Sequence, residues 1–412
     1  MLRVWLHGTH TGDLRLHAGS RWEFRFAEGY LDLPNRPVLG RWFEDQNLPE
    51  LRYTATQSYL PAFFQNYLPE MGSWLREELA ARAGVDPRRN GPLLAALGDD
   101  LPGAHVVREV DDLEPSHDEQ PIVDRRVSPS TALRFSLAGM QPKLSVSREG
   151  SRYTLPVTGK GGRWIAKFPD PRHERVPEHE AAMLTIAQHV GIDVPEHECV
   201  PWRDIGNLPA SMRFAEHLAL MVRRYDRTDD GVRLHQEDFA QVFDRQPYNK
   251  YNDRGEQNRL DATFRGIGRV IAAVCGPDDF IEYVRRLVFM VLVGNHDAHL
   301  KNWSLLYRDP RRARLAPAYD MLSTVLYLPD QDGLALGFFK RKAFSEVLRS
   351  DFERLAEKAG VEVARTLAAV DETIARFHDA CLTEAPHLPF SETQRGALAR
   401  HIATLALTRG AR

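Results

Sequence analysis

The spacing of hydrophobic and polar positions changes character along the chain. Over residues 1 to about 60 it has the period of strands. Arg3-Val4-Trp5-Leu6 and Leu14-Arg15-Leu16 flank Thr11-Gly12-Asp13, which predicts a hairpin turning at those three residues. Trp22, Phe24 and Phe26 alternate with Arg21, Glu23 and Arg25, as in a half-buried strand. Residues 61–83 then read as helical, with Trp74, Leu75, Leu79 and Ala80 on one face, and Leu93 to Gly98 as a short helix closed by glycine. Residues 110–130 are rich in Asp, Glu, Pro and Ser, a linker composition that marks a boundary.

Beyond the boundary, strand spacing returns. Lys143 to Ser147, Arg152 to Val157 and Trp164 to Phe168 predict a three-stranded antiparallel meander, with Gly159-Lys160-Gly161-Gly162 as its second turn. A helix follows, opened by Pro177, closed by Gly191 and carrying Met183, Ile186, Ala187 and Val190 at helical spacing. Leu218 to Val222 predicts one more strand. The remainder reads as mainly helical. Phe280, Ile281, Val284, Leu287, Val288 and Val291 form a wide stripe over 279–293, the mark of a core helix. Three amphipathic helices are predicted over 346–360, 361–380 and 391–408, the last opened by a Ser391/Gln394 capping box.

Composition narrows the class. The 412 residues are 43% hydrophobic and 27% charged, ordinary globular values that exclude a disordered or fibrous chain. Lys plus Arg number 54 and Asp plus Glu 57, for a net charge of −3, so no global field draws the chain to nucleic acid or to an anionic membrane. Arg308, Arg311, Arg312 and Arg314 form a local basic patch, which reads as a solvated turn. Cys199, Cys275 and Cys381 are odd in number and form no CxxC, which argues for buried thiols and against a disulfide framework or zinc site. The N-terminus lacks signal-peptide character, and the longest tight apolar run, Leu287 to Val293, is too short to cross a bilayer. The expectation is a cytoplasmic protein with no membrane partner.

Four segments carry candidate chemistry. In Gly294-Asn295-His296-Asp297-Ala298-His299-Leu300-Lys301-Asn302, Asp297 and Asn302 stand five positions apart after the core helix. Phosphoryl transfer needs such a pairing, an Asp to accept the proton of the attacking hydroxyl and an Asn oxygen to hold magnesium, and the protein-kinase catalytic loop spaces them alike. Asp320 lies 23 residues beyond Asp297, where a kinase keeps its second magnesium ligand. Lys167 ends an apolar strand, and the next helix offers Glu178 and Glu180 as partners, the kinase arrangement for a phosphate-contacting lysine. Ser136-Leu137-Ala138-Gly139-Met140-Gln141-Pro142-Lys143 matches neither G-x-G-x-x-G nor the P-loop, yet its backbone could approach a phosphate as a small anion nest. Asp297 to Asn302 also fits the D-x-H-x-x-N loop of aminoglycoside-type phosphotransferases, so a small-molecule kinase and a catalytically inactive binding module stay open.

Taken together, Ser136 to Lys143, Ile165-Ala166-Lys167-Phe168-Pro169, Asn295 to Asn302 and Pro317-Ala318-Tyr319-Asp320 give a chain that resembles the HipA family of serine/threonine kinase toxins. Leu234 to Phe239 and Phe64 to Glu70 look like further family segments. The resemblance implies Asp297 as catalytic base, Asn302 and Asp320 as magnesium ligands, and Lys167 on the ATP phosphates with Glu180 as its partner. Ala138, Gly139, Met140, Gln141, Pro142 and Lys143 would cover the nucleotide. Arg223, Arg224 and Tyr225 would lie at the hinge beside the adenine, with His299 and Tyr319 next to the nucleotide. Arg223 stands where an acidic residue is expected in some relatives. Ser136 matches the family's autophosphorylation serine, whose modification expels the loop and silences the kinase. The implied partners are a small helix-turn-helix antitoxin, through which alone DNA would be met, and a protein substrate such as an aminoacyl-tRNA synthetase.

The expected fold is α+β and protein-kinase-like: a β-rich N-terminal subdomain over 1–110, a small lobe over 111–225 with the nucleotide loop and meander, and an all-helical C-terminal lobe over 226–412.

Overall fold

The computed structural model describes residues 1–55, 59–110, 142–156, 161–209, 212–251, 262–328, 333–383 and 388–409. The N-terminal part is an antiparallel sheet of β1 (Leu2–Leu6), β2 (Thr9–His17), β3 (Arg21–Phe26), β4 (Tyr53–Ala55) and β5 (His105–Glu109), in the order β4-β3-β2-β1-β5. Helices α1 (Glu28–Leu31), α2 (Ala62–Gln65), α3 (Trp74–Ala83) and α4 (Asn90–Leu97) complete it. The first hairpin turns at His7-Gly8, where both residues have positive φ (51° and 82°) and Leu6 faces Thr9. That is the backbone a two-residue hairpin demands. The predicted turn at Thr11-Gly12-Asp13 is instead strand interior. A Cβ on Gly12 would stand 2.2 Å from the Arg25 carbonyl oxygen and against the Phe24 ring, so this glycine serves close approach. The helix predicted over 61–83 splits into α2 and α3, and Trp74 faces solvent while Leu75, Leu79 and Ala80 are buried.

The middle sheet comprises β6 (Lys143–Glu149), β7 (Arg152–Thr154), β8 (Trp164–Lys167), β9 (His197–Pro201) and β10 (Leu218–Arg223), ordered β7-β6-β8-β10-β9 and antiparallel throughout. The predicted meander is corrected here, because β8 does not pair with β7. It returns along the other edge of β6, Lys167 opposite Lys143. Gly162 permits this return, since a Cβ there would lie 1.7 Å from the Val146 carbonyl oxygen. Gly159 and Lys160 lie outside the described residues. Helix α5 (Val176–Val190) then packs on the sheet and ends at Gly191, whose φ of 91° suits a glycine C-cap.

The last part holds α6 (Phe239–Val242), α7 (Phe264–Val274), α8 (Pro277–Val293), α9 (Arg349–Ala359), α10 (Val363–Thr383) and α11 (Glu392–Thr404). α8 is its buried axis and packs on α10, α7 and α11. The lobe is not all-helical: β11 (His235–Asp238), β12 (Ser304–Tyr307) and β13 (Ala313–Leu315) form a small sheet beside α8. Their runs are too short to stand out from a helical surround by period alone.

The two faces of the middle sheet join two cores. Leu144, Val146, Ala166, Ala219 and Met221 pack with the aromatic cluster of the N-terminal sheet. Leu220 and Val222 pack with α5 and the helices beyond. The strand alternation of β10 is thus spent on both sides. In the basic patch, Arg314 pairs with Asp279 at 2.7 Å and Arg311 with Glu44 at 3.1 Å. Among the described residues, no helix is long and apolar enough to cross a membrane.

One buried charge in the small sheet has a measurable consequence. Glu237 is fully buried and accepts from the Arg41 backbone N–H (2.8 Å) and the Tyr307 hydroxyl (2.6 Å), while its Oε2 finds no partner. Burial pushes its carboxyl up to about 7. Between the ordinary glutamate value and pH 7 the folded chain holds a proton that the unfolded chain has released, so stability falls as pH rises through that window and is lost above it. Glu237→Gln is therefore expected to raise the melting temperature at pH 8, by a free energy of up to roughly 3 kcal/mol at about 1.4 per pK unit. Near pH 5 the gain should vanish. Thermal unfolding of both proteins at the two pH values checks this; an equal shift at both would remove Glu237 as its source.

Candidate active site

A cleft of about 580 Å³ lies between the middle sheet and the helical lobe. Lys167, the last residue of β8, is a buried cation lining it, with only 6% of the side chain exposed. Its ammonium donates to Glu180 Oε1 at 2.5 Å and to the carboxylate of Asp320. Glu180 comes from the second turn of α5. Asp320 follows β13 and takes the left-handed conformation (φ 53°), a region asparagine and aspartate tolerate better than most side chains. An ammonium this buried is stable only with its charge matched. Burial alone would lower the Lys167 value, and the two carboxylates overcome it, leaving the amine firmly protonated. Asp320 is held well below the usual carboxylate range by Lys167 and Lys143 against its own burial. Glu180 moves the other way, because its burial outweighs the attraction of Lys167. Lys143, opposite Lys167 in register, is a second buried cation whose value burial lowers against the pull of Asp320.

The wall facing Lys167 is the loop after α8. The helix stops at Gly294 (φ 66°), and the Asn295 side chain accepts the Asp297 backbone N–H at 2.9 Å. A short 3-10 turn over Leu300–Asn302 then reverses the chain into β12. The five-residue spacing thus yields two different environments. The Asp297 side chain is 56% exposed at the mouth, whereas Asn302 is buried and its Oδ1 has no hydrogen-bond partner among the described residues. Asp297 stays open on the cleft side, yet crowding by protein on its other sides raises its carboxyl value. A hydrogen bond from Tyr251 and the charge of Lys250 oppose that rise, while Asp320 and Glu70 add to it. His299 is buried with its value well below normal, a neutral imidazole kept so by burial and by Lys250. Its Nε2 is 3.9 Å from Asp297 Oδ1, beyond hydrogen-bond range. The Tyr319 hydroxyl donates to the Lys301 carbonyl oxygen (2.8 Å) and accepts from Ser304 (2.5 Å), and its ring lies 5.8 Å from that of Tyr225.

Lys143, Lys167, Glu180, Arg223, Arg224, Tyr225, Asp297, His299, Asn302, Tyr319 and Asp320 all line this one cleft. The guanidinium groups at the end of β10 are already engaged. Arg223 pairs with Glu196 (3.3 Å) and with Asp229, and Arg224 with Asp226 (2.8 Å) and Asp100 (3.4 Å). Pro142 stands just before β6, where its carbonyl oxygen accepts from Phe168 at 2.8 Å. Ser136, Ala138, Gly139, Met140 and Gln141 lie outside the described residues. Sequence spacing does not single out Tyr251 and Lys250, which reach Asp297 from 46 residues upstream with no motif around them, or assign a role to Lys301, which donates to Asp238 (2.9 Å) and Asn66 (2.8 Å).

Among the described residues, no three His, Cys, Asp or Glu side chains are grouped to hold a metal by themselves. Magnesium asks less of a protein, commonly one or two oxygen ligands beside phosphates and water. The unpartnered buried oxygen of Asn302 and the ionised carboxylate of Asp320 fit that requirement.

Comparison with known proteins agrees with this architecture over the whole length. The family model described as HipA-like C-terminal domain matches residues 135–381, and that described as HipA N-terminal domain matches residues 2–108. A Sinorhizobium fredii protein named "Putative kinase Y4dM" is 40% identical, over 99% of this chain and 98% of that protein. The serine/threonine-protein kinase toxin HipA of Shewanella oneidensis is 24% identical over 79% of this chain and 82% of its own length. The solved complex of Shewanella oneidensis MR-1 HipA, HipB and operator DNA includes a chain that shares the fold with a TM-score of 0.70, at 20% identity over 98% of this chain and 95% of that one. On the family models and the full-length relative together, this chain belongs to the HipA family.

Proposed function

We propose that the chain is an ATP- and magnesium-dependent serine/threonine protein kinase that acts as a toxin. The observation that carries the reading is the convergence of Lys167, Glu180, Asp320, Asn302 and Asp297 on one cleft, with the lysine charge fixed at its base and an open carboxylate at its mouth. Lys167 would contact the nucleotide phosphates, aligned by Glu180. Asn302 Oδ1 and Asp320 would hold the magnesium ion, which when bound neutralises phosphate charge. Asp297 would take the proton from the acceptor hydroxyl as its oxygen bonds to the γ-phosphorus and the bond to the ADP oxygen breaks. Positioning and charge matching supply most of the rate in such chemistry. Tyr225 and Tyr319 offer aromatic surface for the base, and the main chain of 223–225 would meet its edge.

Further parts of the reading rest on family membership. Residues 138–143 would cover the nucleotide, and phosphorylation of Ser136 would displace them, because a dianion there repels ATP phosphates. A small helix-turn-helix antitoxin would restrain the toxin and supply its contact with DNA. A translation protein such as an aminoacyl-tRNA synthetase would be the substrate, met in the cytoplasm. The division into 1–110, 111–225 and 226–412 is proposed on the same ground.

Incubation with γ-labelled ATP and magnesium tests the central claim. Label should appear on Ser136 or on a second protein. Label found only on an antibiotic or sugar would overturn it in favour of a small-molecule kinase, and no magnesium-dependent ATP affinity would leave an inactive module. Asp297→Ala should lower phosphoryl transfer by roughly 10²–10⁴-fold, with little change in melting temperature because the side chain is open to solvent. Lys167→Ala should abolish ATP binding and also destabilise the chain by roughly 3–5 kcal/mol, since it strands the buried Glu180 carboxylate. Asn302→Ala should keep ATP affinity in the absence of metal and move the magnesium dependence to higher concentration, read by titrating the ion at fixed ATP.

A further inference from the structure

The segment running from Asp244 to Tyr251 has no counterpart among the motifs that suggested a kinase, yet it ends on Asp297. The N-terminal domain holds it along its length. Asp244 accepts from the Tyr53 hydroxyl. The Arg245 carbonyl oxygen accepts from Asn66 at 2.7 Å, and Gln246 donates to the Leu60 carbonyl oxygen at 3.0 Å. Lys250 pairs with Glu70 at 2.6 Å. Glu70 is itself well anchored, because the preceding carbonyl oxygen, that of Pro69, accepts from the fully buried Arg76 at 2.9 Å. From this strap the Lys250 carbonyl oxygen accepts the Leu300 N–H at 3.1 Å, and the Lys250 ammonium sits 5.3 Å from the Tyr251 ring centroid. The Tyr251 ring meets His299 edge to face at 5.1 Å, and its hydroxyl donates to Asp297 Oδ1.

We infer that Tyr251 is a positioning residue for Asp297, and that the N-terminal domain exerts this control on the catalytic loop through the Glu70–Lys250 pair. The inference rests on the reading of Asp297 as the proton acceptor. A carboxylate standing in solvent at a cleft mouth rotates freely about its side-chain bonds. One oxygen fixed by a phenol that is itself fixed by a ring contact and an ion pair leaves the other oxygen aimed at the acceptor. The donated bond also keeps the carboxylate ionised against its crowded surroundings. Asp297 is thereby tied to the N-terminal domain, which also meets the same loop where Lys301 donates to Asn66.

The test uses the full chain with MgATP, following loss of the labelled γ-phosphoryl group to protein and water together. Tyr251→Phe keeps the ring and removes the hydroxyl. It should lower kcat about tenfold, the loss expected for one hydrogen bond to a charged group, while KM for ATP and the dissociation constant for ADP change less than twofold. Glu70→Gln should show the same split with a smaller drop, and the double variant should be no worse than Tyr251→Phe alone. Wild-type kcat in Tyr251→Phe, with Asp297→Asn inactive, would overturn the positioning role and leave the base in place. Turnover persisting in Asp297→Asn would instead overturn the reading of the base. A loss of ADP affinity equal to the loss of kcat would show Tyr251 to be structural and overturn the inference.

Discussion

The site depends on how one buried ammonium is balanced. Lys167 is both buried and charged, and burial makes an unmatched charge intolerable. The chain matches that charge with two carboxylates from distant segments, 13 and 153 residues away. Glu180 belongs to the helix that immediately follows the strand, so local packing delivers it. Asp320 comes from beyond β13, 153 residues along the chain, and it reaches the lysine through a left-handed backbone that most residues would resist. Matching the lysine charge therefore couples the middle sheet to the helical lobe, and the cleft between them is shaped by that requirement.

The N-terminal domain enters the same arrangement by a different route. Asp100 and Asp226 share Arg224 and Arg227 in a buried network, and Arg233 donates to the carbonyl oxygens of Asp99, Leu101, Gly103 and His105. Burial holds the Asp226 carboxyl in competition with two guanidiniums, which win and leave it strongly ionised. Arg224 and Arg227 thus face inward to Asp100 of the N-terminal part, whereas Arg223 pairs with Glu196 and Asp229. The charge of Arg224 and Arg227 is consumed in joining the parts of the chain, and Tyr225 and Tyr319 are left as aromatic surface in the cleft.

Much of this was legible in the chain. Long periodic elements such as α5, α8 and α10 could be read because their apolar stripes repeat over many turns. That Asp297, Asn302, Asp320, Lys167 and Glu180 would meet in one cleft could be anticipated because their residue types and spacing follow the pattern of a kinase site. The first hairpin was anticipated but its turn was misplaced, because glycine has two uses: Gly12 has the same local signature as a turn while in fact serving close packing. The strand order β7-β6-β8 was missed because adjacency in sequence favours a meander, whereas β8 returns along β6 with Gly162 packed against the Val146 carbonyl. Tyr251 and Lys250 left no signal, since their meaning lies in a loop 46 residues downstream and an N-terminal segment 180 residues upstream.

The opposite shifts of the two cleft aspartates give the last step. Asp320 touches Lys167 and lies near Lys143, and its affinity for protons is suppressed. Asp297 stands away from those cations in a crowded mouth, and its affinity is raised. Two carboxyl groups in one cleft are thus pushed apart in pKa by their surroundings, the condition under which one can serve as a permanent anion and the other as a group that exchanges a proton. The asymmetry follows from the neighbours: both buried lysines come from the paired ends of β6 and β8 and pull Asp320 down, whereas at Asp297 burial leads and a hydrogen bond from Tyr251 and the charge of Lys250 oppose it.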